Sequence, residues 1–357
     1  MVIDLTASAA DITRAICDIP SVSGDEARLA DEIEQTMRAH PHLEVSRHGD
    51  TIVARTAFGR PQRVVIAGHI DTVPIHDNLP TRNVDIDGVP HLWGRGAVDM
   101  KAGVAVQLKL AAELTAADAD ITWMWYDNEE VAESRNGLFR LAAQRPDLFA
   151  ADFAILGEPT GGRVEGGCNG TMRAVIRTRG VRAHSARSWV GENAIHGAAP
   201  ILSRLAEYRA REITVEGLGY REGLNAVGIR GGVAGNVIPD LCEVEVNYRF
   251  APSRSVADAE AHVRAAFEGF EVEVTDAAAG ARPGLDVPIA QRFLSAVGGE
   301  ARAKYGWTDV ARFSALGVPA VNYGPGDSHL AHHDEERVPL AQIGEVERGL
   351  RAWLTAS

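Results

Sequence analysis

Three short apolar runs in this chain end directly in groups that ionise or bind metal. Val64-Val65-Ile66-Ala67 leads into Gly68-His69-Ile70-Asp71-Thr72-Val73-Pro74. Ile121-Thr122-Trp123-Met124-Trp125-Tyr126 leads into Asp127-Asn128-Glu129-Glu130, and Phe153-Ala154-Ile155-Leu156 into Gly157-Glu158-Pro159. Continuous apolar runs of this length read as strands covered on both faces, as in a parallel sheet flanked by helices. Ligands of such sheets collect beyond the carboxyl ends of the strands. The pattern predicts an α/β fold with a polar site at one sheet edge.

The rest of the chain fits that frame and interrupts it once. Helical spacing runs through 11–40, broken between Pro20 and Gly24, and again through 101–117; strand-like runs occupy 51–55, 63–68, 121–126 and 151–156. Alternating strands and helices imply a mostly parallel sheet flanked by helices. From about residue 170 the order becomes strand 171–178, helix 192–211, strands 224–230 and 241–250, helix 255–268 and strand 270–275. That β-α-β-β-α-β order is the ferredoxin-like motif. Pro283-Gly284 then punctuates, and helix–strand–helix resumes through Pro319-Ala320-Val321-Asn322-Tyr323. The expected organisation is a discontinuous metal-binding catalytic domain of residues 1–169 plus 283–357, with an inserted ferredoxin-like α+β domain of 170–282.

The strand-end residues carry the chemistry. In an extended segment residues i and i+2 point the same way, so His69 can ligate a metal while Asp71 orients it or a neighbouring ligand. Asp99 closes the segment Gly94-Arg95-Gly96-Ala97-Val98-Asp99 just before the 101–117 helix, and His329, His332 and His333 follow Gly324-Pro325-Gly326. Singly, a strand-end acid caps a helix and a loop histidine sits in solvent; gathered at one edge they point to metal. Three or four carboxylates collected without cations would repel, and some would be forced neutral. With His69, Asp99, Glu130, Glu158 and His332 as ligands, two divalent ions bring four positive charges against three negative ones, leaving one for an anion. Imidazole and carboxylate without thiolate suit zinc, with cobalt or manganese as substitutes. No H-E-x-x-H and no G-x-S-x-G occurs, and the Gly94–Asp99 segment lacks the third glycine of a dinucleotide loop.

Composition narrows the partners. Hydrophobic content of 45% and charged content of 24% are those of an ordinary globular protein. No apolar run approaches the roughly 20 residues of a membrane helix, so no membrane partner is expected. Asp4 and Asp11 stand where a secretory signal would be basic. Three scattered cysteines, Cys17, Cys168 and Cys242, fit a reducing cytoplasm better than a disulfide framework. A net charge of −13 without a basic tract argues against nucleic acid.

With the motifs GHIDTVP, GRGAVDMKAG, NEE, LGEPT and a C-terminal AH in place, the chain resembles the dinuclear-zinc amidohydrolase family that holds aminoacylase, acetylornithine deacetylase, glutamate carboxypeptidase and succinyl-diaminopimelate desuccinylase. The likeness spans essentially the whole chain. It is nearest the desuccinylase branch through AILGEPT, RAHSARSWVGENAIH, GGVAGNVIPD, AKYGWTDVARF and NYGPGDSHLAHHDEERVP. It implies hydrolysis of a small N-acyl amino acid, here N-succinyl-LL-2,6-diaminopimelate, with another N-acyl-amino-acid deacylase or a dipeptidase as the alternative. It further implies His69 and Glu158 on one zinc, Glu130 and His332 on the other, Asp99 bridging, Glu129 as general base and Asp71 orienting the first site. His184 matches the histidine that reaches into a partner's site in a homodimer formed through the inserted domain. Asn236, Arg249, Thr308 and Arg312 match positions that hold substrate. Two departures stand out: His333 beside His332 allows a one-residue shift, and no arginine accompanies Cys168-Asn169-Gly170. A non-catalytic metal-binding dimer is the rival class, against which the base and all five ligands are present.

Overall fold

The computed structural model describes residues 3–356. The chain divides into two compact units, Met1–Gly166 with Pro283–Arg302 and Arg312–Ser357, and Gly167–Arg282 with Ala303–Ala311.

The first unit is built on a mixed eight-stranded sheet. Its strands lie in the order Glu44–His48, Thr51–Arg55, Asp120–Tyr126, Arg63–His69, Phe153–Leu156, Ala320–Asn322, Glu165–Gly166 and Arg302–Ala303. Arg63–His69 pairs in parallel with Asp120–Tyr126 and Phe153–Leu156, and Phe153–Leu156 in parallel with Ala320–Asn322. The strands beside this parallel centre run antiparallel. Val64, Val65, Ile66 and Ala67 are fully buried, which is why the central run carries no polar alternation. Helix Lys101–Glu113 is buried on almost every side, and a Cβ at Gly103 would lie 2.2 Å from the Gly157 carbonyl oxygen. Glycine at 103 therefore lets this helix approach the strand end that carries Glu158. The helical stretch expected over 11–40 is two helices, Ala9–Cys17 and Ala27–Arg38. The first is capped by Ser8, whose hydroxyl oxygen accepts the Asp11 N–H at 3.1 Å. The helix expected over 101–117 ends at Glu113, where Leu114 turns to an extended conformation.

A three-stranded sheet in this unit was not foreseen. Arg82–Ile86 and Val89–Trp93 form a hairpin through Asp87 and Gly88, both at positive φ (53° and 82°), and Arg337–Pro339 joins its edge. The Asp-Gly pair is the local signal for such a turn. This added strand brings the C-terminal segment alongside Gly94, whose N–H donates to the Glu336 carbonyl at 3.0 Å.

The second unit carries an antiparallel sheet in the order Gly223–Gly231, Leu241–Phe250, Gly170–Arg179 and Glu271–Ala278. One face packs Met172, Ala174, Ile176, Val244, Val246 and Tyr248 against the helical segment 194–207 and helix Val256–Ala266. It differs from the expected insert in taking up Ala303–Ala311, tied by the Asn169 N–H to the Lys304 carbonyl (3.2 Å) and Trp307 Nε1 to the Ala279 carbonyl (3.1 Å). A further hairpin, Glu212–Val215 with Leu218–Arg221, projects from the same unit.

Candidate metal centre

All five expected ligands lie in the first unit, each placed by a different element. His69 ends the central strand, Glu158 follows Phe153–Leu156, Glu130 follows Asp120–Tyr126, Asp99 precedes helix Lys101–Glu113, and His332 sits on the loop before Arg337–Pro339. His69, Asp99 and Glu158 offer donor atoms all within 4.8 Å of one another, as do Asp99, Glu130 and His332. A third such group is His69, Glu129 and Glu130. Asp99 joins the first two sets. Its Oδ1 lies 3.1 Å from His69 Nε2 and its Oδ2 3.2 Å from His332 Nε2, while His332 Nε2 also lies 2.9 Å from Glu130 Oε1. His333 takes no part in these groups; its Nδ1 accepts the Glu335 N–H at 3.1 Å.

Neighbouring charges shift three of these groups strongly. Burial alone would push the His69 imidazole down, but Asp71 and Asp99 carry it well above its ordinary range. Asp99 and Glu130 raise His332 to about 10. Burial opposes ionisation of Asp99, yet hydrogen bonds with His332 and His69 hold it well below the usual carboxylate range. Nitrogen and oxygen donors with no sulfur, arranged around one shared carboxylate, fit two divalent cations.

Asp71 is fully buried and works on both sides of the cage. Its Oδ1 lies 3.4 Å from His69 Nδ1, its Oδ1 and Oδ2 accept the backbone N–H groups of Glu129 (3.0 Å) and Glu130 (3.1 Å), and Ser23 Oγ donates to Oδ2 at 2.7 Å.

Residues 65–356 match the sequence profile of peptidase family M20/M25/M40. The chain belongs to this family. A Mycobacterium tuberculosis protein, named as a candidate succinyl-diaminopimelate desuccinylase DapE, is 53% identical over 355 residues, 99% of each chain. A Corynebacterium glutamicum succinyl-diaminopimelate desuccinylase is 48% identical over 364 residues, 99% of this chain and 98% of the relative. In fold the chain is similar to a Staphylococcus aureus tripeptidase (TM-score 0.80, 20% identity, 100% and 99% of the two chains). It is also similar to the Bacillus subtilis YXEP protein, a dinuclear metal-binding peptidase of the same family (TM-score 0.71, 16% identity, 97% and 96%).

The remaining expected site residues divide between the units. Arg312, in the first, is partly buried, ion-paired with Glu133 at 3.0 Å and stacked over Phe139. His184, Asn236, Arg249 and Thr308 belong to the second. There His184 and Asn236 are neighbours: the Ser185 N–H donates to the Asn236 carbonyl at 2.9 Å. Arg249 is half-buried and hydrogen-bonds Asn247, and Thr308 is buried with its carbonyl 3.8 Å from Cys168 Sγ.

Sequence reasoning missed Glu336 and Glu26. Glu336, the last of three consecutive acidic residues on a C-terminal loop, accepts the N–H groups of Val98 (2.8 Å) and Asp99 (3.0 Å) and pairs with buried Arg95 at 3.0 Å. No local signal marks it, because its partners lie far away in the chain. Glu26 sits where it reads as an ordinary helix-start acid, but its side chain is fully buried.

Proposed function

We infer that this chain is a metal-dependent hydrolase of a linear amide that removes the succinyl group from N-succinyl-LL-2,6-diaminopimelate, giving succinate and LL-2,6-diaminopimelate. The observation that carries the reading is Asp99, whose two oxygens face His69 and His332 where two ligand groups meet, with Glu129 beside Glu130. Sequence likeness of 53% and 48% over nearly full length to proteins named as desuccinylases narrows the substrate.

The donor set favours zinc, with cobalt or manganese as substitutes. His69 and Glu158 are assigned to one ion, Glu130 and His332 to the other, and Asp99 to both. Bound there, the ions supply Lewis acidity to the amide carbonyl and lower the pKa of water toward neutrality. Glu129 takes a proton from the attacking water as the new C–O bond forms, then delivers it to the amine nitrogen as the C–N bond breaks. The water oxygen ends in the succinate carboxylate and both water protons on the freed ammonium group. Asp71 keeps Glu129 in place through its backbone N–H.

His184 is assigned to the developing oxyanion, from a partner subunit. Its Nδ1 accepts the Ala186 N–H at 3.0 Å, so the neutral ring carries its proton on Nε2 and can donate there. Dimerisation through the second unit is supported by the open edge strand Gly223–Gly231, where Val227 and Ile229 are 60% and 52% exposed. Asn236, Thr308, Arg249 and Arg312 are assigned to substrate. Arg312 already has Glu133, whereas Arg249 has no carboxylate within ion-pair distance among the described residues, making it the better clamp for a substrate carboxylate. Three free, buried cysteines accord with a reaction in the cytoplasm. No helix among the described residues is long and apolar enough to cross a membrane.

The test is a zinc-reconstituted assay against succinylated, acetylated and dipeptide substrates. Preferred turnover of N-succinyl-LL-2,6-diaminopimelate supports the reading. Preference for an acetylated amino acid or a dipeptide assigns the scaffold to another deacylase, and full metal content without hydrolysis makes it a metal-binding protein.

A further inference from the structure

Three successive backbone N–H groups, those of Asn128, Glu129 and Glu130, are all accepted by buried carboxylates. Asp71 takes the last two. The first goes to Glu26, whose Oε1 lies 3.1 Å from the Asn128 nitrogen and whose Oε2 accepts the Gly24 N–H at 2.8 Å. Glu26 is fully buried, and no Lys, Arg or His lies within ion-pair distance of it among the described residues. A carboxylate taken from water without a cation is costly, so its presence calls for a task that an apolar side chain could not perform.

The task is visible in the backbone. Asn128 has φ +58°, in the left-handed region that few residues besides glycine and asparagine enter. The chain turns there directly after strand Asp120–Tyr126, and the turn makes the following N–H groups converge, as in a backbone anion nest. Glu26 holds the left-handed residue, and Asp71 holds the two that follow. The segment bearing Glu26 is itself fastened to the strand end of His69 and Asp71. The Ser23 N–H donates to the Thr72 carbonyl (3.1 Å), the Thr72 N–H to the Ser21 carbonyl (3.0 Å), and Ser21 Oγ to the Ile70 carbonyl (2.6 Å).

We propose that Glu26 is a positioning residue for amide hydrolysis: by fixing the left-handed turn at Asn128 it aims the Glu129 carboxylate at the attacking water and Glu130 at its metal position. This rests on the reading of Glu129 as the proton carrier. Glu26 touches neither substrate nor metal in this scheme, and it acts through the backbone.

The full-length, zinc-loaded protein provides the test, with kcat normalised to bound metal. Glu26→Ala should lower kcat by about 10–100-fold, the range for removing a partner that orients a site residue, with KM changed far less. Glu26→Gln, which keeps one acceptor oxygen, should recover part of the loss. Asn128→Val, whose branched side chain disfavours positive φ, should reproduce the loss with Glu26 intact, and so answers the question if Glu26→Ala fails to fold. A merely structural Glu26 would lower thermal stability and yield but leave kcat per loaded site at the wild-type value; that result, or full kcat in Asn128→Val, overturns the proposal. Glu129→Gln separates the two levels. If it turns over normally, the proton-carrier reading fails; if it is inactive while Glu26→Ala is fully active, only the positioning role fails.

Discussion

Glu336 Oε1 accepts the backbone N–H of Asp99 at 3.0 Å, so the carboxylate at the centre of both ligand groups is held by an acid from the other end of the chain. The same oxygen takes the Val98 N–H, and Oε2 pairs with Arg95, both partners of that pair being buried. Glu336→Ala would leave the buried Arg95 guanidinium with only the exposed Asp334 carboxylate, 3.8 Å away, as counter-charge. Loss of one member of a buried pair typically costs about 3–5 kcal/mol, which thermal unfolding will detect as a large fall in Tm. Glu336→Gln keeps the shape and should instead weaken metal affinity, by roughly 10–100-fold. Wild-type affinity and stability in both variants would dissociate Glu336 from the site.

Glu129→Gln removes the proton carrier while keeping its size. A drop in kcat of about 10²–10⁴-fold is expected, with metal content unchanged because none of the five assigned ligands is altered. Metal analysis beside steady-state kinetics checks both halves.

Metal binding should release protons. Without metal, His332 is raised to about 10 and His69 lies well above its usual range, so both rings are protonated near neutrality. Ligation requires neutral imidazole, so affinity should rise with pH, and calorimetric enthalpies should depend on the ionisation enthalpy of the buffer. The sign for the metal-free protein is opposite. A group raised in the folded state stabilises fully below its unfolded value of about 6.5 and loses that contribution as pH rises through its folded value. For His332 this window runs from about 6.5 to about 10, and Tm of the metal-free protein should fall across it. A buffer-independent enthalpy would contradict the assignment of these ligands.

The role given to His184 makes catalysis depend on a second copy of the chain. His184→Ala and Glu129→Gln should each be nearly inactive alone, and mixing them after dissociation should restore activity through heterodimers holding one site with both groups intact. Replacing Ile229 on the exposed edge strand by lysine should shift the protein toward monomer on sizing and lower activity with it. A fully active monomer would remove the cross-subunit role.

Much of this was legible from sequence because it is local. The strands ending at His69, Tyr126 and Leu156 are continuous apolar runs, buried on both faces, and the polar residues just beyond them lie at one sheet edge by the geometry of parallel pairing. The inserted β-α-β-β-α-β order likewise follows from alternation along each strand, as on Leu241–Phe250, where every second residue is buried. The choice of His332 over His333 rested on the family resemblance and not on any local pattern. Both sit on the same loop, and only the positive φ of His332 (64°) and the fold of that loop set one ring against Asp99 and Glu130.

Residue types and periodicity thus determined the fold class and the strand-end placement of His69, Asp71, Glu130 and Glu158. Asp99 between the two histidines was implied only by the family resemblance, and the tertiary structure supplies its distances; that structure alone decided that Glu26, Asp71 and Glu336 hold the cage through backbone N–H groups. Such contacts join segments far apart in the chain and are made to peptide groups, which every residue has; a side-chain pattern carries no trace of them until the chain has folded.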